Sequence, residues 1–373
     1  MTTICIDCRY INPLPSGIGS LVRALVERVP DFAPEWDFLL LRHPDTAPLR
    51  PHASNVRETI VEAAPNSPAS MWFLAQHVDF GEIDLFHSPS NILPAGIATR
   101  TVTTVHDLMW LTRSELCSDQ LWSKIGRHFF AHGIRRALEH SDAILTVSDA
   151  TREDILKAAP QCAVRTWTIA PGAGEQFKPG TPDPDVLQRL GIEDAPYILT
   201  VGQHAPYKNH QGAIRAFAKA FADDPGFKLV MVQRRGPSAD RLRNEARALG
   251  VEARVLFTPV LAEDDLVALY QGATALLHPS LCEGFGMPIL EAMASGCPVI
   301  TSNHSAMPEV AGGAGLLVDP LDMDQMAKSL AQVANEPKVA RELREKGLIR
   351  ARQFSWDECA RKHVEIYRKV LSA

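Results

Sequence analysis

The sequence predicts an α/β protein with two doubly wound parallel sheets in tandem. Three observations carry that expectation. The chain has 373 residues, and at roughly 150 residues per domain two compact domains are the default. Both halves alternate short apolar runs with helical patterns, as βα architecture requires. A turn-rich stretch interrupts the alternation near the middle, and the pattern then restarts.

The first half opens with the strand TICID and the helix LVRALVERV, and WDFLLLR, DLFHS, TVTTVHD, AILTVS and RTWTIA supply further strands. PGAGEQFKPGTPDPDVLQRLGIEDAP, dense in turn residues, marks the boundary. In the second half YILTVG, FKLVMVQ, RVLFTPV, ATALLHPS, CPVITS and AGLLVDP read as strands, separated by helices such as GAIRAFAKAF, DRLRNEARALG and MPILEAMAS. Ser355 and Glu358 are spaced as a capping box, opening a helix that aligns Trp356, Ala360, Val364, Tyr367 and Leu371. The expected organisation is a first domain over residues 1–175, a linker over 176–195 and a second domain over 196–353. A last helix over 354–373 is free to pack back on the first domain. In such folds ligands bind at the carboxyl ends of the strands, and two facing domains make a cleft there.

Hydrophobic residues at 46% and charged residues at 22% exclude a disordered chain. With 38 basic and 44 acidic residues the net charge is -6, which argues against nucleic acid held by an overall basic surface. No run approaches the ~20 apolar residues of a membrane span, and the start MTTICIDCRY lacks signal-peptide regions, so a cytoplasmic protein is expected. Seven cysteines are poor material for a disulfide framework. Cys5 and Cys8 form a C-x-x-C within a strand, where alternation separates them; without a second pair they read as buried hydrophobes rather than a zinc site.

The most informative segment is HPSLCEGFGMPILEAMASGCPVITS, in which seven residues separate Glu283 from Glu291. Pro288 suits the first turn of a helix and Gly296 its end. Glu291 then lies one turn in and leans back toward the helix start, with Glu283 in the loop before it. Free N–H groups at a helix start attract an anion such as phosphate, and Gly284 and Gly286 allow close approach. A carboxylate is also a natural double acceptor for neighbouring sugar hydroxyls. The segment resembles the E-x(7)-E signature of retaining glycosyltransferases of family 4, which have the GT-B fold of two facing Rossmann-like domains. YILTVGQHAPYKNHQGAIRAF, RVLFTPV, SDAILTVSDATREDI, TVHDL and SGIGSLVRAL appear in the family's order, so the resemblance spans most of the chain.

The resemblance implies that Glu283 is the acid near the donor sugar and that Glu291 binds the ribose of a nucleotide sugar. The backbone of Phe285, Gly286 and Met287 holds sugar and phosphates. Lys208, in the loop after YILTVG, stabilises the leaving diphosphate, each charge-assisted hydrogen bond contributing roughly 1.5–3 kcal/mol. The chain departs from the family at Gln203 and Tyr207, where many members carry an arginine; Arg234 and Arg235 could compensate. Gly17 and Gly19 resemble the family's glycine loop, whereas a dinucleotide fingerprint would need a third glycine at Val22, which disfavours NAD. As βα-turn glycines they are open to ligand contact or to a purely conformational role. His106 orients the donor sugar, and Asp107 positions an acceptor hydroxyl or caps the next helix. Between Asp119 and Glu139 the basic residues Lys124, Arg127, Arg135 and Arg136 occur with Trp122, Phe129 and Phe130 and no acid. That stretch suits anionic lipid, and hence peripheral contact at the inner face of the membrane, or a lipid-linked acceptor.

The resulting expectation is retaining transfer of a sugar from a nucleoside diphosphate sugar to a saccharide or lipid-linked hydroxyl. No cofactor and no metal are expected: Asp183 to Asp185 lie in the linker, and Asp322 to Asp324 begin a helix. The pattern resembles bacterial mannosyltransferases of envelope polysaccharide synthesis somewhat more than starch or sucrose enzymes, making GDP-mannose the leading donor, with UDP and ADP sugars still open. The alternatives are a nucleotide-sugar epimerase or hydrolase, and an inactive nucleotide-sugar-binding partner subunit.

Overall fold

The structure is a computed structural model that describes residues 2–11, 16–50, 52–117, 123–192, 195–232, 239–259 and 261–373. By its contacts the chain divides into two units. Met1–Ser114, Gln120–Gly172 and Ser355–Ala373 form the first, and Glu115–Asp119 with Ala173–Phe354 the second.

In the first unit the order is β1 (Thr3–Asp7), α1 (Gly17–Phe32), β2 (Asp37–Arg42), β3 (Val56–Ile60), α2 (Pro68–His77), β4 (Leu85–Ser88) and β5 (Arg100–Val105). Then come α3 (Met109–Thr112), α4 (Ser123–His140), β6 (Ala143–Thr146), α5 (Asp149–Ala158) and β7 (Thr166–Thr168). Among the described residues seven strands pair in parallel in the order β3-β2-β1-β4-β5-β6-β7. The TICID run is buried along its whole length because helices cover both faces of a parallel sheet. Cys5 and Cys8 are buried free thiols. The pattern reading passes over β3, an edge strand of sequence VRETI whose Ile60 is 55% exposed. An edge strand needs no continuous apolar run.

In the second unit α6 (Pro184–Arg189) precedes β8 (Tyr197–Val201), α7 (His210–Ala220), β9 (Lys228–Val232), α8 (Ala239–Ala248), β10 (Val255–Thr258), α9 (Glu263–Gly272) and β11 (Ala275–His278). These are followed by α10 (Met287–Ala294), β12 (Val299–Ser302), α11 (Met307–Ala311), β13 (Leu316–Val318), α12 (Met323–Asn335) and α13 (Pro337–Ala351). Six described strands run in parallel in the order β10-β9-β8-β11-β12-β13. Sequence neighbours β8 and β9 pair on one side while β11 pairs on the other side of β8, so the order reverses at β8. That reversal is where a doubly wound sheet leaves a ligand crevice.

The last helix, α14 (Trp356–Ser372), belongs to the first unit. Ser355 Oγ accepts from the Glu358 amide at its start. Its apolar stripe buries Trp356, Ala360, Val364 and Tyr367, against α1 among other elements. The Tyr367 hydroxyl lies 2.6 Å from His87 Nδ1 on β4, and Arg100 donates to the Val370 carbonyl at 2.6 Å. Gly172 leaves room for this helix, since a Cβ there would stand 2.3 Å from the Trp356 amide nitrogen.

Candidate active site

The site grows from the loops that follow β8 and β11, adjacent strands of the second sheet. After β8 the chain passes Gly202 into a 3-10 turn at Pro206–Lys208. A Cβ on Gly202 would lie 3.0 Å from Lys208 Cε, so the glycine makes room for the lysine stem. Asn209 takes left-handed backbone at φ 51°, and its side chain accepts from the Gly212 amide to cap α7.

Lys208 Nζ sits 2.6 Å from Glu283 Oε1, and the two side chains are only 9% and 11% exposed. The same oxygen accepts from Ser280 Oγ at 2.8 Å and faces His278 Nε2 at 3.2 Å. Glu283 Oε2 takes no hydrogen bond from the described residues. Ser305 clasps the Glu283 main chain, donating to its carbonyl at 2.6 Å and lying 3.3 Å from its amide. Asn209 and Ser305 are the non-glycine described residues with positive φ, at 51° and 54°, and both adjoin the site. Strained backbone of this kind concentrates at functional positions.

Burial alone would raise the Glu283 pKa, but Lys208 and the His278 contact outweigh it and hold the carboxyl down to about 2. Burial likewise opposes the Lys208 charge, and Glu283 overcomes it, leaving the lysine pushed up. Both groups are therefore ionised at neutral pH. Burial pushes His278 down, keeping the imidazole neutral.

Gly286 stands at the N-cap of α10 at φ 105°, Pro288 lies in the first turn, and no side chain caps the helix. Glu291 lies one turn in. Its Oε2 accepts from the Tyr270 hydroxyl at 2.9 Å. Burial pushes its carboxyl up to about 7; Glu263 adds to the rise, while the Tyr270 bond and Lys208 pull against it. Lys208 feels the charge of Glu283 first and, more weakly, that of Glu291. The structure thus brings Glu283, Glu291 and Lys208 to one helix mouth. The Phe285 ring is buried edge-on to Phe354 at 5.7 Å, and Met287 begins the helix.

Gln203 and Tyr207 engage each other, with Gln203 Nε2 donating to the Tyr207 hydroxyl at 3.0 Å. The Tyr207 ring lies 5.3 Å from Lys208 Nζ, an aromatic face beside the cation. Arg234 and Arg235 lie outside the described residues. Sequence reasoning missed His278, Ser280, Ser305 and Tyr270. For His278 and Ser280 a signal existed, because HPS directly follows a predicted strand.

In the first unit β5 ends at Val105, one residue before His106. The His106 amide donates to Asn91 Oδ1 at 2.6 Å, and ring Nε2 lies 2.9 Å from the Pro89 carbonyl, which assigns the proton to Nε2. Burial pushes this imidazole down as well. Asp107 Oδ1 accepts from the Met109 amide at 2.8 Å just ahead of α3, whose N-cap position is Leu108. The glycine loop is corrected: Gly17 and Gly19 lie within the first turn of α1, not before it. Ser16 Oγ accepts from the Gly19 amide at 3.0 Å, and a Cβ at Gly19 would stand 2.9 Å from that oxygen, so close packing of the cap requires this glycine. On α4 Arg127 and Arg135 are exposed. Arg136 turns inward to the Leu93 carbonyl at 3.3 Å, which removes it from the expected basic face. Trp122 and the Lys124 side chain lie outside the described residues.

Asp183 and Asp322 cap α6 and α12 through their side chains. Among the described residues no group of three or more His, Cys, Asp or Glu is placed to hold a metal ion. Nor is any described helix long and apolar enough to cross a membrane.

Residues 15–173 match the family model described as Glycosyltransferase Family 4, and residues 184–350 that described as Glycosyl transferases group 1. O-antigen chain mannosyltransferase B of Escherichia coli is 30% identical over 300 residues, which are 80% of this chain and 76% of that protein. The serotype-specific mannosyltransferase WbdA of Escherichia coli is 26% identical over 84% of this chain, a match spanning 38% of that longer protein. Anabaena HepE, solved in complex with UDP and glucose, superposes with a TM-score of 0.78 over 99% of this chain and 100% of its own, at 19% identity.

Proposed function

The chain belongs to the glycosyltransferases of family 4 and group 1, and from that premise we propose retaining transfer of mannose from GDP-mannose to a saccharide or lipid-linked hydroxyl. The mannosyltransferase relatives support the sugar. One observation carries the site: a buried, ionised Glu283 bonded to Lys208 beside an uncapped helix start.

A carboxyl held at about 2 cannot donate a proton at neutral pH, so Glu283 acts as an anion. Its Oε2 accepts from a sugar hydroxyl, and its charge stabilises the positive charge that develops at the anomeric carbon. Lys208 and the α10 start take up charge on the departing diphosphate, in the place of a divalent ion. Glu291 anchors the ribose, and the backbone of Phe285, Gly286 and Met287 holds sugar and phosphates. On the family resemblance, His106 is the candidate for orienting the sugar. The leaving phosphate accepts the acceptor proton as the new glycosidic bond forms on the same face, which keeps the anomeric configuration. The test is thermal-shift screening with GDP, UDP and ADP, then donor assays with and without saccharide acceptors in the presence of a chelator. Transfer from GDP-mannose with retained configuration is expected. Sugar interconversion without an acceptor favours an epimerase, acceptor-free release a hydrolase, and binding without turnover an inactive subunit.

Peripheral membrane contact draws support from α2 and α4. Trp72 and Phe73 are 47% and 49% exposed, and Trp72 packs against Phe129 and His132 of α4 at 6.0 and 6.2 Å. Neither α2 nor the stretch of α4 before Glu139 carries an acid, and Arg127 and Arg135 are exposed there. Aromatic rings beside exposed guanidinium groups suit an anionic lipid surface. Sedimentation with phosphatidylglycerol vesicles but not with phosphatidylcholine vesicles is expected, and Trp72→Ala with Phe73→Ala should weaken it. Equal sedimentation with both lipids counts against this contact.

A further inference from the structure

We propose that Tyr270 is a positioning residue for nucleotide binding: its buried hydroxyl holds the Glu291 carboxylate in the orientation that receives the ribose hydroxyls. The inference rests on the assignment of Glu291 to the ribose. Tyr270 is fully buried on α9, and its hydroxyl lies 2.9 Å from Glu291 Oε2. Its ring is wedged edge-on against Phe177 at 5.8 Å. At the residue before it, the Tyr197 hydroxyl of β8 donates to the Leu269 carbonyl at 2.8 Å, which pins the α9 backbone on which Tyr270 rides. The hydroxyl therefore has little freedom to follow the carboxylate, and the carboxylate must come to it.

A glutamate has three rotatable side-chain bonds, and binding must freeze them. A donor held in place by packing removes that cost before the ligand arrives, leaving Oε1 to accept from ribose. The groups acting on this carboxyl are Tyr270 and Glu263 from α9 and Lys208 from the loop after β8. Tyr270 donates to the ionised form, so it favours the form that is a double acceptor. Without it the carboxyl would protonate at higher pH.

The experiment uses the full chain and whichever of GDP, UDP and ADP binds most tightly, with dissociation constants measured by calorimetry from pH 5.5 to 9. Tyr270→Phe keeps the ring and its packing. It should weaken binding about 3- to 10-fold at pH 7, since one net hydrogen bond is worth roughly 2- to 13-fold and Tyr270 acts on the ligand only through Glu291. It should also move the midpoint of the carboxyl-dependent loss of affinity to higher pH. In the Glu291→Gln background, which retains only the pH dependence of the diphosphate, Tyr270→Phe should change affinity less than twofold. A wild-type affinity and midpoint in Tyr270→Phe overturns the inference, as does a loss of equal size in the Glu291→Gln background, which would mark general packing damage. If Glu291→Gln itself binds as wild type, or no nucleotide binds the unmutated chain, the ribose assignment falls and takes this inference with it.

Discussion

β4 and β11 hold corresponding places in their sheets, each lying beside the first strand of its unit, and each carries a buried histidine. His87 on β4 is closed between two hydroxyls, Thr104 Oγ1 at 2.9 Å and Tyr367 at 2.6 Å. His278 ends β11 next to an ionised carboxylate that it touches at 3.2 Å. Burial pushes both imidazoles down, so the two are alike in charge. Their partners differ. A histidine between two neutral hydroxyls suits a packing role, whereas one that faces a carboxylate whose second oxygen takes no hydrogen bond from the described residues stands at the proposed site.

Four measurements test that contrast. The largest effect is expected for Glu283→Gln, which keeps the shape but removes the charge: kcat should fall about 10²–10³-fold, a loss typical of one preorganised electrostatic group. Near-normal transfer would reduce β11 to the status of β4. Next, Glu291→Ala should weaken nucleoside diphosphate binding roughly 10- to 30-fold, with kcat at saturating donor changed only a few-fold. Equal losses in both constants would assign it instead to the transition state.

The histidines themselves come third. His87→Phe strands two buried hydroxyls and should cost about 1–3 kcal/mol in denaturant unfolding, with nucleotide affinity within about twofold of the parent. His278→Phe should instead lower kcat by roughly tenfold. If His87→Phe impairs binding as much as His278→Phe impairs turnover, the contrast is lost.

The smallest effect lies in pH dependence, where the two glutamates have opposite signs. The folded pKa of Glu283, about 2, is below the ordinary 4.5, so its contribution to stability is full above about 4.5 and is lost as pH falls toward 2. Glu291 at about 7 lies above 4.5, so the stability tied to its proton is present below about 4.5 and lost as pH rises through 7. Glu291→Gln should therefore gain about 1–2 kcal/mol at pH 8 and nothing near pH 4, read from unfolding curves at the two pH values. A constant difference across that range would mean the carboxyl is not titrating as its burial implies.

Legibility followed the physics of each element. Continuous apolar runs such as TICID and YILTVG announce central parallel strands, because helices bury both faces. VRETI escaped because an edge strand needs only one apolar side. Glu283 and Glu291 were readable from a glycine- and proline-framed spacing, and Lys208 from its place after a strand. The ion pair between Lys208 and Glu283 was not, since 75 positions separate them and only the adjacency of β8 and β11 joins them. Tyr270 reads as one more apolar residue of a helix; its hydroxyl matters only because α9 packs against α10. Ser305 has no motif at all, and its left-handed backbone is visible only in three dimensions.

The return of α14 to the first unit has a consequence for synthesis. On the ribosome the nascent chain emits all of β1 to β7 and then the whole second unit before Trp356 appears. The groove awaiting Tyr367 stays open to solvent throughout, so the earlier-made half is the later to mature. A fragment cut at residue 172 would carry every strand of its sheet and still present an apolar scar where the missing helix should lie.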